Sequence, residues 1–150
     1  MNEMNIISKF LSLNRIAVVG VSEKSNKFGN MIFKTLKRNG KDVLPVNKNL
    51  NVYDDQICYK DISSVPGELD GVVTVVKPTS TLEVIKESNK LGIKNIWMQQ
   101  GSQSKDSVEF CRNNNINIIN GKCMLMFFED EKFPHNIHRW IVKLTGKYPK

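Results

Sequence analysis

Five short apolar runs, each closed by glycine, proline, asparagine or a turn, constrain this chain more than any other feature. They are Arg15–Gly20, Asp42–Asn47, Leu69–Val76, Ile93–Met98 and Ile116–Ile119. Their cores are continuously apolar instead of alternating, as in strands covered on both sides. Helical periods lie between most of them. Phe28, Met31, Ile32 and Leu36 share one face before the stop at Asn39-Gly40, and Ser104–Asn113 reads as a helix. A third helix follows Lys77-Pro78, with Thr79 or Ser80 expected as its cap and Val84, Ile85 and Leu91 on its buried side. An amphipathic opening helix carries Ile6, Ile7, Phe10, Leu11 and Leu13. Leu50–Pro66 is irregular, with a short edge strand expected around Ile57-Cys58-Tyr59. Alternating strands and helices on short connections predict an α/β fold. The expected form is a Rossmann-like, doubly wound parallel sheet of about five strands with helices on both faces.

At 150 residues the chain is expected to form one domain. A basic helical extension is expected over about 131–150, carrying Ile137, Trp140, Ile141 and Leu144. The longest apolar run, Cys123–Phe128, is far short of the roughly 20 residues of a membrane span. The first residues do not read as a signal peptide, and Cys58, Cys111 and Cys123 form no CxxC pair. These features predict a cytoplasmic protein away from membranes. Of the net charge of +7, the segment Glu131–Lys150 holds +4, five cations against one anion. No RNP-like strand, zinc-finger spacing or Lys/Arg run accompanies it, so nucleic acid is a disfavoured partner and a small polyphosphate a better one.

In such a sheet a ligand sits beyond the carboxyl ends of the strands, where strand order reverses. The loop Gly20–Lys27 has the ingredients of a phosphate cradle: Gly20 for the turn, Ser22 and Ser25 for hydroxyls, Lys24 and Lys27 for charge, and a helix amino end behind them. Gly29 follows, but there is no G-x-G-x-x-G and no Walker loop. The second strand ends Pro45-Val46-Asn47-Lys48, without the carboxylate that holds the ribose of NAD. The lysine there favours a phosphorylated ribose, as in NADP or coenzyme A (CoA).

With those residues in place the chain resembles a known family. Ile16–Ser22, Val43–Asn47, Val75–Pro78, Trp97–Gly101 and Ile119–Cys123 look like the stand-alone CoA-binding domain proteins. The same order is similar to the N-terminal, CoA-binding domain of the succinyl-CoA synthetase α subunit. The resemblance implies CoA phosphates against Gly20, Val21, Ser22 and the helix start at Lys27, Phe28, Gly29 and Asn30, and adenosine near Val46, Asn47 and Lys48. Val76, Lys77 and Pro78 would line the pocket beneath the nucleotide, and Met98, Gln99 and Gln100 would meet the ligand further along. The second domain of the synthetase, with its phosphorylated histidine, has no counterpart here, so ligase activity does not transfer.

No catalytic constellation stands out. Cys123, at the ligand edge, could form a mixed disulfide with CoA, although the plainer reading is a small buried residue. Cys58 and Cys111 read as structural, Trp97 and Trp140 as core residues. His135 and His138 make a weak metal case without a third ligand. The function expected is binding of CoA or an acyl-CoA without chemistry. The alternatives are an NADP-dependent oxidoreductase, or an interaction module that uses the basic C-terminal helix. The apolar edge Met124–Phe128 leaves a homodimer open.

Overall fold

The computed structural model describes residues 2–24 and 27–128. The expected helix at 134–148, the histidine pair, Trp140 and Ser25 therefore lie outside the described residues. The chain runs α1 (Glu3–Ser12), β1 (Arg15–Val19), α2 (Phe28–Arg38), β2 (Asp42–Val46), β3 (Val52–Tyr53), β4 (Gln56–Ile57), β5 (Gly71–Thr74), α3 (Pro78–Lys90), β6 (Asn95–Gln99), α4 (Lys105–Asn113) and β7 (Asn117–Lys122). Single 3₁₀ turns sit at Ile62–Ser64 and Met124–Phe127. Five strands form one parallel sheet in the order β2-β1-β5-β6-β7. The order reverses between β1 and β5: the chain first steps outward from β1 to β2, then returns past β1 to β5. The doubly wound reading of the sequence is the fold observed.

Residues alternate along each strand between two apolar cores. Val18, Val73, Trp97 and Ile119 pack against Ile7 and Phe10 of α1 and Ile32, Phe33 and Leu36 of α2. Ala17, Val19, Leu44, Val46, Val72, Ile96 and Met98 face Ile85 of α3 and Cys111 of α4. The first core is aromatic at its centre, where buried Trp97 meets Phe10 and Phe127 edge-on at 5.6 and 5.5 Å between ring centres. The second is mainly aliphatic.

The structure corrects the sequence reading in four places. Helix α3 begins one residue ahead of Thr79 and is capped by Lys77, with Pro78 in its first position and no side-chain cap. Thr79 and Ser80 are thus inside the helix, because proline at the first helical position lacks only an N–H that would have no partner there. Leu91 is 51% exposed beyond the end of α3, and the buried face is Thr81, Ile85 and Ser88. The face is more polar than its period suggests because Thr81 and Ser88 find oxygen acceptors. Strand β7 continues past Asn120-Gly121 to Lys122 through a bulge, Met98 pairing with Asn120 and Gln99 with Lys122. Gly121 takes up the extra residue at φ +72°. The irregular 50–66 stretch is a two-residue hairpin, β3 with β4, followed by a bridge from Tyr59 to Val46 at the sheet edge.

This stretch has a consequence for the site. The crossover from β2 to β5 contains no α-helix, only the hairpin and the 3₁₀ turn. Ile62 and Val65 of that crossover cover Leu44 and Val46 thinly, and a trough remains between the turn and α3.

Candidate functional site

The trough is a cavity of about 850 Å³, within the range usual for small-molecule sites. Val19, Gly20, Val46 and Val75–Lys77 bring the tips of β1, β2 and β5 to one end of it. From there it follows α3 past Ser80, Val84 and Glu87 and is closed opposite by Lys60–Ser63. One hydrogen bond ties the two walls together: the Ser63 amide donates to Glu87 Oε1 at 3.0 Å.

Two glycines separated by nine positions set the head of the cavity. Gly20 stands at φ +125°, with Val75 carbonyl so close that a side chain at Gly20 would collide with it. A Cβ on Gly29 would land on the carbonyl of Gly20. The first turn of α2 therefore rests directly on the end of β1. This is the close helix–strand approach that the sequence lacks a fingerprint for, achieved with a single glycine at each side of a longer loop.

Asparagines hold the intervening loop. Asn30, 2% exposed, accepts from Ser22 amide at 2.8 Å and donates to the Ser22 and Lys24 carbonyls at 2.8 and 2.7 Å. Asn47 donates to Val21 carbonyl at 2.6 Å and accepts from Asn49 amide at 2.8 Å, so the loops after β1 and β2 are one unit. The Ser22 hydroxyl accepts from Lys24 amide at 3.2 Å. Asn30 and the amide of Ser22, expected to face a ligand, thus build the loop instead.

The amino ends of α2 and α3 flank the order reversal. Lys27 and Lys77 occupy their cap positions, and neither end has a side-chain cap. The helix dipole and lysine give each end positive character. Lys48 adds a further exposed cation on the β2 loop.

Of the residues singled out in the sequence, Gly20, Val46, Asn47, Lys48, Val76 and Lys77 line the cavity. Lys27, Phe28 and Gly29 begin α2 and Pro78 begins α3, and none of the four is among the residues that line the cavity. Val21 is buried in the core on the α1/α2 face. Met98 and Gln99 are buried in the sheet rather than lining the cavity, and Gln100 amide donates to Lys122 carbonyl at 3.2 Å. The lower wall, Lys60–Ser63 with Glu83, Val84 and Glu87, escaped the sequence reading. The one available signal was the absence of a helix between the second and third strands.

The three thiols are buried. Gln99 Nε2 donates to Cys123 Sγ at 2.9 Å, yet burial outweighs that bond and holds the thiol above its usual range. Burial also raises Cys58, and it pushes Cys111 up to about 12. All three stay protonated at neutral pH and are poor nucleophiles. Among the described residues no group of three or more His, Cys, Asp or Glu could hold a metal ion. Among them, too, no helix is long and apolar enough to cross a membrane.

Sheet order and cavity position together define the class, a doubly wound Rossmann-like α/β domain with a cavity at the order reversal. The profile described as CoA binding domain matches residues 14–129, and the chain belongs to that family. It is 27% identical over 130 residues to the α subunit of ADP-forming acetate–CoA ligase II from Pyrococcus furiosus, covering 79% of this chain. The alignment spans only 28% of that subunit. The uncharacterized protein YneT of Bacillus subtilis is 26% identical over 114 residues, 73% of this chain and 82% of that protein. Among solved structures, a conserved hypothetical protein of Pyrococcus furiosus superposes with a TM-score of 0.73 at 34% identity, over 77% of this chain and 99% of that one. A hypothetical protein of Pyrococcus horikoshii reaches 0.78 at 26% identity, over 83% and 88%.

Proposed function

We propose that the cavity binds CoA or an acyl-CoA, and that the domain holds this ligand without transforming it. The observation that carries the reading is a cavity at the order reversal whose head holds Gly20 of the β1 loop and the amino end of α3, begun by Lys77 without a side-chain cap. Phosphate oxygens would be the acceptors that Lys77 does not supply at the start of α3. The family supports the ligand class. Lys48, at the end of a second strand that lacks a carboxylate, supports a phosphorylated ribose over a free 2′-hydroxyl. The holding role is supported by the burial of all three thiols, Cys123 included.

Calorimetric titration of the reduced protein with CoA, NADP, NAD and ATP tests the reading. CoA is expected to bind at least about tenfold more tightly than the others, or roughly 1.4 kcal/mol. A response to NADP with silence toward CoA would overturn the ligand and leave the fold untouched. Lys48→Glu is expected to weaken CoA more than dephospho-CoA, and equal losses would remove Lys48 from the ribose phosphate.

A further inference from the structure

Behind the cavity, three hydroxyls are sealed into the core on the α3/α4 face. Thr74 ends β5, Thr81 is the fourth residue of α3, and Ser102 lies in the loop after β6; they are 0, 0 and 3% exposed. Thr74 Oγ1 and Ser102 Oγ are 2.7 Å apart, and Ser102 Oγ and Thr81 Oγ1 are 3.0 Å apart. Thr81 donates to the carbonyl of Ser102 at 2.5 Å. Three protons complete a one-way chain, from Thr74 to Ser102 Oγ, from Ser102 to Thr81 Oγ1, and from Thr81 to the Ser102 carbonyl.

Stability gives little reason for this cluster. Apolar groups of the same shape in place of satisfied hydroxyls are close to neutral, and the surroundings, Ile85, Ile96 and Met98, are apolar. What hydroxyls add is direction. A methyl group tolerates a slide of the helix along the sheet, whereas three linked hydrogen bonds accept one relative position. The helix so held is α3, and Lys77 and Ser80, within a turn before Thr81, face the cavity. Thr81 also has a competing acceptor at 3.3 Å, the carbonyl of its own cap residue Lys77. The Ser102 carbonyl takes the proton toward the loop after β6 and leaves the Lys77 carbonyl to the helix backbone, where it accepts from Ser80 amide at 2.8 Å.

We infer that Thr74, Thr81 and Ser102 are positioning residues that fix the amino end of α3 for phosphate contact, an inference that rests on the CoA reading of the cavity. The test compares the chain with the Thr74→Val/Thr81→Val/Ser102→Ala variant, by CoA calorimetry and thermal melting. The variant is expected to melt within about 4 °C of the parent and to bind CoA about fivefold or more weakly, since small misplacements of a binding group are costly. Thr81→Ser, which keeps the hydroxyl, should bind like the parent, and Thr81→Val should not. Unchanged affinity in the triple variant would overturn the inference and leave the CoA reading standing. A parent chain that ignores CoA would overturn the reading and the inference with it. If the triple variant fails to fold, the Thr81 pair decides: equal affinities overturn the inference, and a loss in valine alone upholds it.

Discussion

Among the described residues, α1 and α4 begin in one way and α2 and α3 in another. Asn2 caps α1 by accepting from Asn5 amide, and Ser104 caps α4 in a reciprocal box with Ser107. Lys27 and Lys77 begin α2 and α3 and offer no acceptor. All four amino ends lie toward the carboxyl edge of the sheet, as short connections to parallel strands require; the ion pair of Glu3 with Lys122 at 3.4 Å places α1 there too. What separates the pairs is position. The helices begun by lysine follow β1 and β5, the strands on either side of the order reversal, and those begun by Asn2 and Ser104 stand further out. A helix start normally gains about 1 kcal/mol from a capping side chain. Neither Lys27 nor Lys77 supplies that gain, and Lys77 stands in the cavity wall.

Gly29→Ala is the largest break in this comparison. The new Cβ meets backbone, not a movable side chain, so α2 must lift off β1. A loss of about 1–3 kcal/mol in urea unfolding is expected from overpacking of this kind, together with loss of measurable CoA binding. Intact binding would show that the amino end of α2 is not part of the site. Lys77→Asp sharpens the contrast by giving α3 the ordinary kind of cap. Stability should rise by up to about 1 kcal/mol, while CoA weakens about tenfold because a carboxylate replaces a cation beside phosphate. If both quantities rose together, the lysine cap would have no ligand role. Ser104→Ala is the smallest and the control. It should cost about 1 kcal/mol of stability and leave CoA affinity within about twofold, a change under 0.5 kcal/mol; a larger shift would extend the site to α4.

Much of the fold was legible because its signals are local. The continuous apolar runs reported strands buried on both faces, and the helical period of Phe28, Ile32 and Leu36 reported α2. Punctuation by proline was harder to read: Lys77-Pro78 marks the start of α3, and the search for a hydroxyl cap places the boundary two residues late. Leu91 shows the opposite error, an apolar residue at helical spacing that the chain leaves in solvent after α3 ends. At the site, glycine at position 20 and the carboxylate-free end of β2 were visible in the chain. Asn30 was visible too, but its work on Ser22 and Lys24 was not, since a polar residue in the first turn of a helix reads alike whether it turns outward or inward.

The sequence by itself determined the class of fold, the strand and helix order and the edge at which a ligand belongs, because periodicity and turn chemistry act over a few neighbouring residues. Tertiary structure alone decided the shape of the site. Gly29 is forced to remain glycine by Gly20, nine positions away. The lower wall closes through Ser63 and Glu87, and the hydroxyl chain joins Thr74, Thr81 and Ser102 across three elements. Contacts of that kind depend on how the sheet is ordered and how closely each helix settles on it. Both follow from packing the whole chain at once, and no window of sequence contains them.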